Sequence, residues 1–197
     1  MLTTPRIYLA SRSPRRGELL GQVGVHFDVL PSDVDESVRP DESPEHYVLR
    51  LAREKALVCV QRLAAQGAPS RPVLAADTTV CIDGLILGKP ENDADAAAML
   101  RRMSDRWHVV HTAIAVAEGD RVEVALSSTQ VEMAPLTAAE IAAYIASGEP
   151  RDKAGSYGIQ GLAGAFIRRI EGSYSGVMGL PIYETSQLLN KFGVHVL

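Results

Sequence analysis

The residues best suited to chemistry fall in a few short runs. Ala75-Ala76-Asp77-Thr78-Thr79 sets a carboxylate at the end of an apolar stretch, with two hydroxyls directly after it. Strand ends are where sites in α/β proteins collect. A carboxylate there can hold Mg²⁺ or take a proton from water, although an Asp at such a place also commonly caps a turn. Ser11-Arg12-Ser13-Pro14-Arg15-Arg16 lies between an apolar strand and a helix start. Backbone N–H groups and the helix dipole favour an anion at that junction. Arginines add planar, charge-assisted donors suited to phosphate. The plainer reading is a solvated helix start with three surface arginines.

Lys55 belongs to a helix whose apolar stripe is Val48, Ala52, Cys59 and Leu63. At 100° per residue it falls within about 20° of Val48, near the centre of that stripe. A core-facing ammonium is costly unless it reaches an anion or water; snorkelling to the helix edge is the commoner outcome. Asp33-Val34-Asp35-Glu36 clusters carboxylates suited to a hard cation with oxygen ligands, or simply to solvent. Gly88-Lys89-Pro90 fails as a Walker A loop, because the spacing from Gly84 is one residue short and Pro replaces Ser or Thr. Lys89 can still meet a phosphate as a point charge. Gly158, Gly161 and Gly164 do not match a dinucleotide fingerprint. His108 and His111, three apart in a strand, face opposite sides. No G-x-S-x-G elbow is present.

The elements that must carry these residues can be read from pattern. Ile7 to Ala10 reads as a buried strand, followed by Ser13-Pro14 as cap and first helical residue and a helix to Gln22. A strand over His26 to Leu30 and an acidic loop over Pro31 to Asp41 come next. Ser43-Pro44 opens a long helix ending near Gly67. The spacing then predicts a strand from Pro72 that ends at Asp77, and a hairpin at Asp83-Gly84. An Ala-rich helix spans Asn92 to Met103. Trp107 to Ala117 and Arg121 to Met133 form a longer hairpin. Thr137-Ala-Ala-Glu140 is a capping box whose helix is closed by Gly148. A glycine-rich stretch, Gly155 to Gly164, precedes a strand from Ala165 to Ile170 and a last helix from Pro181. Strands and helices mix throughout, so the class is α/β or α+β with a mixed sheet.

The chain has 197 residues, 46% of them hydrophobic and 22% charged, with a net charge of −4. It is expected to form one globular domain over residues 1–197. The acidic balance disfavours duplex nucleic acid as a partner, and three Phe and one Trp offer little for base stacking. Cys59 and Cys81 are too far apart for a CxxC pair, so neither a disulfide framework nor a thiolate zinc site is expected. Met1 to Arg6 lacks a signal-peptide core and no apolar run reaches spanning length, so no membrane association and a cytosolic location are expected.

Taken in order, Leu9-Ala-Ser11-Arg-Ser13-Pro14-Arg15-Arg16, Asp35-Glu36, Ala52-Arg-Glu-Lys55-Ala56, Ala76-Asp77-Thr78, Gly88-Lys89-Pro90 and Tyr157-Gly-Ile-Gln160-Gly161 closely resemble the Maf family of nucleotide pyrophosphatases. The likeness runs over essentially the whole chain and ends with Gly179-Leu-Pro181. It implies a Maf/inosine-triphosphatase-like α/β fold, a mixed twisted sheet with flanking helices and two lobes around a central cleft, usually in a homodimer. It implies a divalent cation, Mg²⁺ or Mn²⁺, and Asp77 as proton acceptor. Arg15, Thr78 and Gln160 match the positions that set base choice in the branch acting on dTTP and UTP. A sister branch acts on 7-methyl-GTP and other nucleotides. Some relatives have Gly where this chain has Arg12. The family is also linked to inhibition of septum formation, so a nucleotide-binding regulator of cell division is the rival to an enzyme.

On this reading the reaction is hydrolysis of a nucleoside triphosphate to monophosphate and pyrophosphate. A triphosphate carries about four negative charges, which must be neutralised where charge develops. Ser11, Arg16, Lys55 and Lys89 are the expected phosphate contacts, and Glu36 and Asp77 the expected metal ligands. Thymine and uracil present an acceptor at O4 and a donor at N3. A Gln amide offers one of each in a plane, so Gln160 could pair with both.

Overall fold

The computed structural model describes residues 6–196. The opening segment over 1–5, where no signal core was expected, lies outside the described residues. Along the chain the elements are β1 (Arg6–Leu9), α1 (Pro14–Gln22), β2 (His26–Val29), α2 (Pro44–Ala65), β3 (Val73–Ile82), β4 (Leu85–Leu87) and α3 (Asp93–Met103). There follow β5 (Trp107–Glu118), β6 (Arg121–Met133), α4 (Ala138–Ala146), β7 (Ile167–Glu171), α5 (Tyr174–Val177) and α6 (Ile182–Lys191). The strands form one 7-stranded mixed sheet in the order β2-β1-β3-β5-β6-β7, with β4 beside β3. β1 runs parallel to β2 and β3, and the remaining pairs are antiparallel.

Alternation along β3 divides the core. Val73 and Ala75 pack with α2 through Val48, Ala52, Ala56, Cys59 and Leu63. Leu74 and Ala76 face the other way, onto Leu19 and Leu20 of α1 and Leu188 and Leu189 of α6. A third cluster joins the far half of β3 to α3 and α4, through Val80, Leu100, Met103, Ile141 and Tyr144.

One expectation needs correcting. β3 does not end at Asp77; it runs on to Ile82, and its register with β5 is continuous through Asp77↔Ala113, Thr78↔Thr112 and Thr79↔His111. Thr78, Thr79 and Val80 are β-branched and suit a strand, and β5 is long enough to pair the whole run. What ends near Asp77 is the neighbour on the opposite edge. β1 reaches only to Leu74 on β3, and β4 takes up that edge from Val80. Residues 76–79 therefore have an open flank in the middle of a sheet.

Smaller differences are local. Ser13 makes no side-chain cap; instead its N–H donates to Ser11 Oγ at 3.2 Å. Leu162–Phe166 forms a 3₁₀ turn, so β7 begins later than expected. The short helix α5 was not foreseen. Ser43, Asn92 and Thr137 cap their helices through side-chain oxygens, the last in a complete capping box.

The acidic loop is tied to α2 by Arg50, which donates to both Glu42 oxygens at 2.6 and 2.7 Å and to the Ser37 carbonyl at 3.0 Å. Arg50 holds the Glu42 carboxyl down from the ordinary 4.5 to about 2 against the opposing effect of burial. A depressed acid stabilises the fold fully above its unfolded value and loses that effect as pH falls through the folded one. Replacing Glu42 by Gln should therefore lower the thermal midpoint at pH 7, with the gap to the parent protein closing as pH drops from about 4.5 towards about 2. A gap that stays constant with pH would contradict the assignment.

Candidate active site

A cavity of about 580 Å³ opens against the free flank of β3. Ser11, Arg15, Arg16, Glu36, Lys55, Asp77, Thr78, Lys89 and Gln160 all line it, so the residues expected to bind phosphate, metal or base are brought to one place, whereas Asp35 of the acidic loop is not among them. Tyr47, Asp152, Lys153 and Tyr157 line it as well; pattern alone had not singled them out.

Successive β3 residues point to opposite faces, and the cleft collects from both. Asp77 looks towards α2. Its Oδ1 accepts from Lys55 Nζ at 2.7 Å, and the same ammonium lies 2.6 Å from Glu36 Oε1. Lys55 and Asp77 side chains are each only 11% exposed, whereas that of Glu36 is 54% exposed. The core-facing lysine thus satisfies its charge on a carboxylate of the neighbouring strand. Burial pushes the Asp77 carboxyl above the ordinary carboxylate range; Lys55 and then Arg16 pull against it, and Glu36 adds to the rise. Tyr47 donates its hydroxyl to the Glu36 carbonyl at 2.9 Å, holding the loop over the site. Burial pushes the Tyr47 phenol up to about 12, so it remains a donor at neutral pH.

Thr78 looks the other way and meets Arg16 of α1. Arg16 donates from Nε to the Gly179 carbonyl at 2.7 Å, from Nη1 to Ser11 Oγ at 3.0 Å and from Nη2 to Thr78 Oγ1 at 3.2 Å. Gly179 holds φ at 109°, a backbone state that side chains rarely adopt, and so turns its carbonyl onto the guanidinium. Burial lowers the Arg16 pKa and the Asp77 carboxylate opposes that, but an arginine remains protonated.

Thr112, opposite Thr78 on β5, directs its hydroxyl to the Gly176 carbonyl at 2.8 Å and to Thr78 Oγ1 at 3.0 Å. Its one proton is shared between those two acceptors. Thr78 Oγ1 thus accepts from Arg16 on one side and faces Thr112 on the other.

The rim is more exposed. Arg15 faces Asp152 across the mouth at 3.8 Å. Arg12 pairs with Asp33 at 3.0 Å, both largely in solvent. Lys89 is exposed at the exit of β4, in a loop whose Gly88 carbonyl accepts from Gly155 N–H at 3.0 Å. Gln160 is exposed and lines the same cavity. His108 and His111 do divide between faces: His108 is buried on Tyr157 Oη at 2.7 Å, and His111 lies on Ser128 Oγ at 2.8 Å.

The family model described as "Maf-like protein" matches residues 6–192. The chain belongs to the Maf-like family. Within it, a protein of Methylobacillus flagellatus named dTTP/UTP pyrophosphatase is 66% identical, with 97% of this chain and 94% of the relative covered. A Chromobacterium violaceum protein of the same name is 56% identical, with 95% of each covered. Among solved structures, a HAM1 protein from Coxiella burnetii shares the fold, with a TM-score of 0.53 at 17% identity over 95% of this chain and 99% of that one. The Maf-like fold thus brings a buried carboxylate, its lysine and a backbone-anchored arginine to one cleft.

Replacing Thr112 by Val keeps the β-branched shape but strands the Gly176 carbonyl. The cost expected is about 1–3 kcal/mol, read by urea denaturation, with Thr112→Ser recovering most of it. Equal stability of the Val variant and the parent would show that the Gly176 carbonyl does not depend on the Thr112 hydroxyl.

Proposed function

We propose that this chain hydrolyses nucleoside triphosphates, dTTP and UTP foremost, to the monophosphate and pyrophosphate. The observation that carries the reading is the buried Asp77 carboxylate, raised in pKa and set beside a ring of cations in an open cleft. The names borne by relatives of 66% and 56% identity point to the same substrates and favour an enzyme over a binding-only regulator. Pyrimidine nucleotides carrying modified bases fall in the same chemical class.

Asp77 is the group to accept a proton from the attacking water. A carboxyl raised above its ordinary range is a stronger base than a solvated one, and Lys55 and Arg16 favour its ionised form. Arg16, pinned by Gly179, Ser11 and Thr78, is already oriented before any ligand arrives, so its donors require no reorganisation during the reaction. With Lys55, Lys89 and the start of α1 it supplies the positive surface for the phosphates. α1 begins without a side-chain cap from Ser13, which leaves its first turn open to an anion. Gln160 and Arg15 line the same cleft and are the residues assigned to the base.

A divalent cation fits the donor set. Glu36 and Asp77 already converge on one cation, the Lys55 ammonium, with oxygen donors only. Among the described residues no group of three or more His, Cys, Asp or Glu surrounds a common point. Two carboxylates suit Mg²⁺, which keeps several waters and shares phosphate oxygens. Bound there, it would neutralise charge on the phosphates. A homodimer and a cytosolic location belong to the same proposal. Among the described residues no helix is long and apolar enough to cross a membrane, and light scattering on the 21.2 kDa chain separates monomer from dimer.

The decisive assay is pyrophosphate release from a panel of nucleoside triphosphates with Mg²⁺ or Mn²⁺. Turnover of dTTP and UTP is expected, with Asp77→Asn slower by about 10²–10⁴-fold or more. Binding of dTTP without turnover would move the assignment to a regulator. Gln160→Ala should lower the preference for dTTP over CTP, because cytosine reverses the groups at N3 and C4.

The pH profile has a sign. Asp77 must be ionised, so kcat/KM falls as pH drops through its raised pKa, and the acid limb lies above the ordinary 3.8. Lys55 favours the ionised form; Lys55→Met should move that limb to higher pH. A limb that stays in place would separate Lys55 from the titration.

A further inference from the structure

The geometry points to Glu149 as a positioning residue that fixes the loop bearing Gln160 and so sets the choice of base. The inference rests on the reading that Gln160 pairs with the base. Glu149 stands just after α4 and touches neither Asp77 nor the residues around it. Both its oxygens are committed to the loop. Oε2 accepts from Leu162 N–H at 2.9 Å, and Oε1 accepts from the Tyr144 hydroxyl at 2.9 Å. That hydroxyl in turn accepts from Gly158 N–H at 3.3 Å. One carboxylate therefore holds both ends of the segment Gly158-Ile159-Gln160-Gly161, directly at one end and through a phenol at the other.

The clamp is itself braced. Tyr144 is 3% exposed, and its ring meets Phe166 edge to face at 5.5 Å. The Glu149 carbonyl accepts from Lys153 Nζ at 2.6 Å. The loop closes onto these groups so tightly that a Cβ on Gly161 would overlap the Glu149 carboxylate, and one on Gly158 would lie 2.8 Å from Lys153 Cε. This explains two glycines that match no phosphate-binding fingerprint: they let the loop backbone lie against its clamp. Gln160 itself lines the cleft, and among the described residues its amide makes no hydrogen bond. The backbone is held and the reading group is left free.

Selectivity needs the held backbone. A planar amide favours one base edge over another only when its carrier sets it at bonding distance in the plane of that edge; if the loop shifts, the paired contact to N3 and O4 weakens and the difference between uracil and cytosine shrinks. Glu149→Gln keeps the shape but surrenders one of the two acceptors.

The test compares kcat/KM for dTTP and CTP in the parent, Glu149→Gln, Tyr144→Phe, Gln160→Ala and the Glu149→Gln/Gln160→Ala double variant. Amide exchange at Gly158 and Leu162 is followed by NMR. The preference for dTTP should fall about tenfold in Glu149→Gln and in Tyr144→Phe, with faster exchange at both amides. In the Gln160→Ala background, Glu149→Gln should change the preference no further, since coupled residues are not additive. Tyr144→Phe retains the ring against Phe166, so a folded variant is at hand even if Glu149→Gln fails to fold. A preference altered by Gln160→Ala but by neither clamp variant overturns the inference and leaves the reading of Gln160 standing. A preference untouched by Gln160→Ala removes that reading, and the inference with it.

Discussion

A carboxylate buried in the middle of a sheet is tolerable only if a cation reaches it, and Lys55 is the cation that reaches Asp77. Much of the structure can be understood as what that pairing requires. α2 must lie along the face of β3 that presents Asp77, and its small, apolar stripe lets it lie close. Ser43 fixes where the helix starts, and so which residue falls opposite the carboxylate. The loop before α2 must fold back to bring Glu36 to the same ammonium. Tyr47 and the Arg50–Glu42 pair hold it there. Removing either charge of the central pair would strand the other in a low-dielectric site.

The second requirement is access, and it comes from strand lengths rather than from a loop. β1 stops early, β4 starts late, and among the described residues no strand pairs with the flank of β3 between them. At that opening the two-residue period of a strand becomes useful. Asp77 engages a lysine on one face, Thr78 engages an arginine on the other, and both open on the same cavity. Adjacent residues thus recruit cations from two helices that never touch the same side of the sheet.

Local physics was legible in the sequence. The caps at Ser43 and Thr137, the turn at Asp83-Gly84 and the long hairpin all depend on neighbours a few residues apart. Lys55 was legible for a different reason: a lysine at the centre of an apolar stripe must find an anion, although the stripe could not say which. What escaped depends on distant partners. Arg16 is anchored on a carbonyl 163 residues away. The passage of β3 through Asp77 depends on the length of β5. Chemical type marked Asp77 with its following hydroxyls, Lys55, Lys89 and the arginine-rich run from Ser11 to Arg16 as candidates, but only the likeness to a family singled out Gln160 and gave Arg15 and Thr78 a part in base choice. Nothing in residue type or spacing marks a surface Gln as a reader of bases.

The walls of the cleft come from nearly the whole span of the chain, from Ser11 at one end to Gln160 and Gly179 at the other. A molecule held between them acts as a reversible cross-link across most of the polypeptide. In the unfolded chain these segments drift apart and the molecule has no site, so each bound copy draws the population towards the native state. The gain is RT ln(1 + [L]/Kd), or about 2.7 kcal/mol at a hundredfold excess over Kd. That is a sizeable part of the stability typical of a domain this size. The lifetime of this protein against proteolysis is thereby tied to the supply of the small molecule it binds.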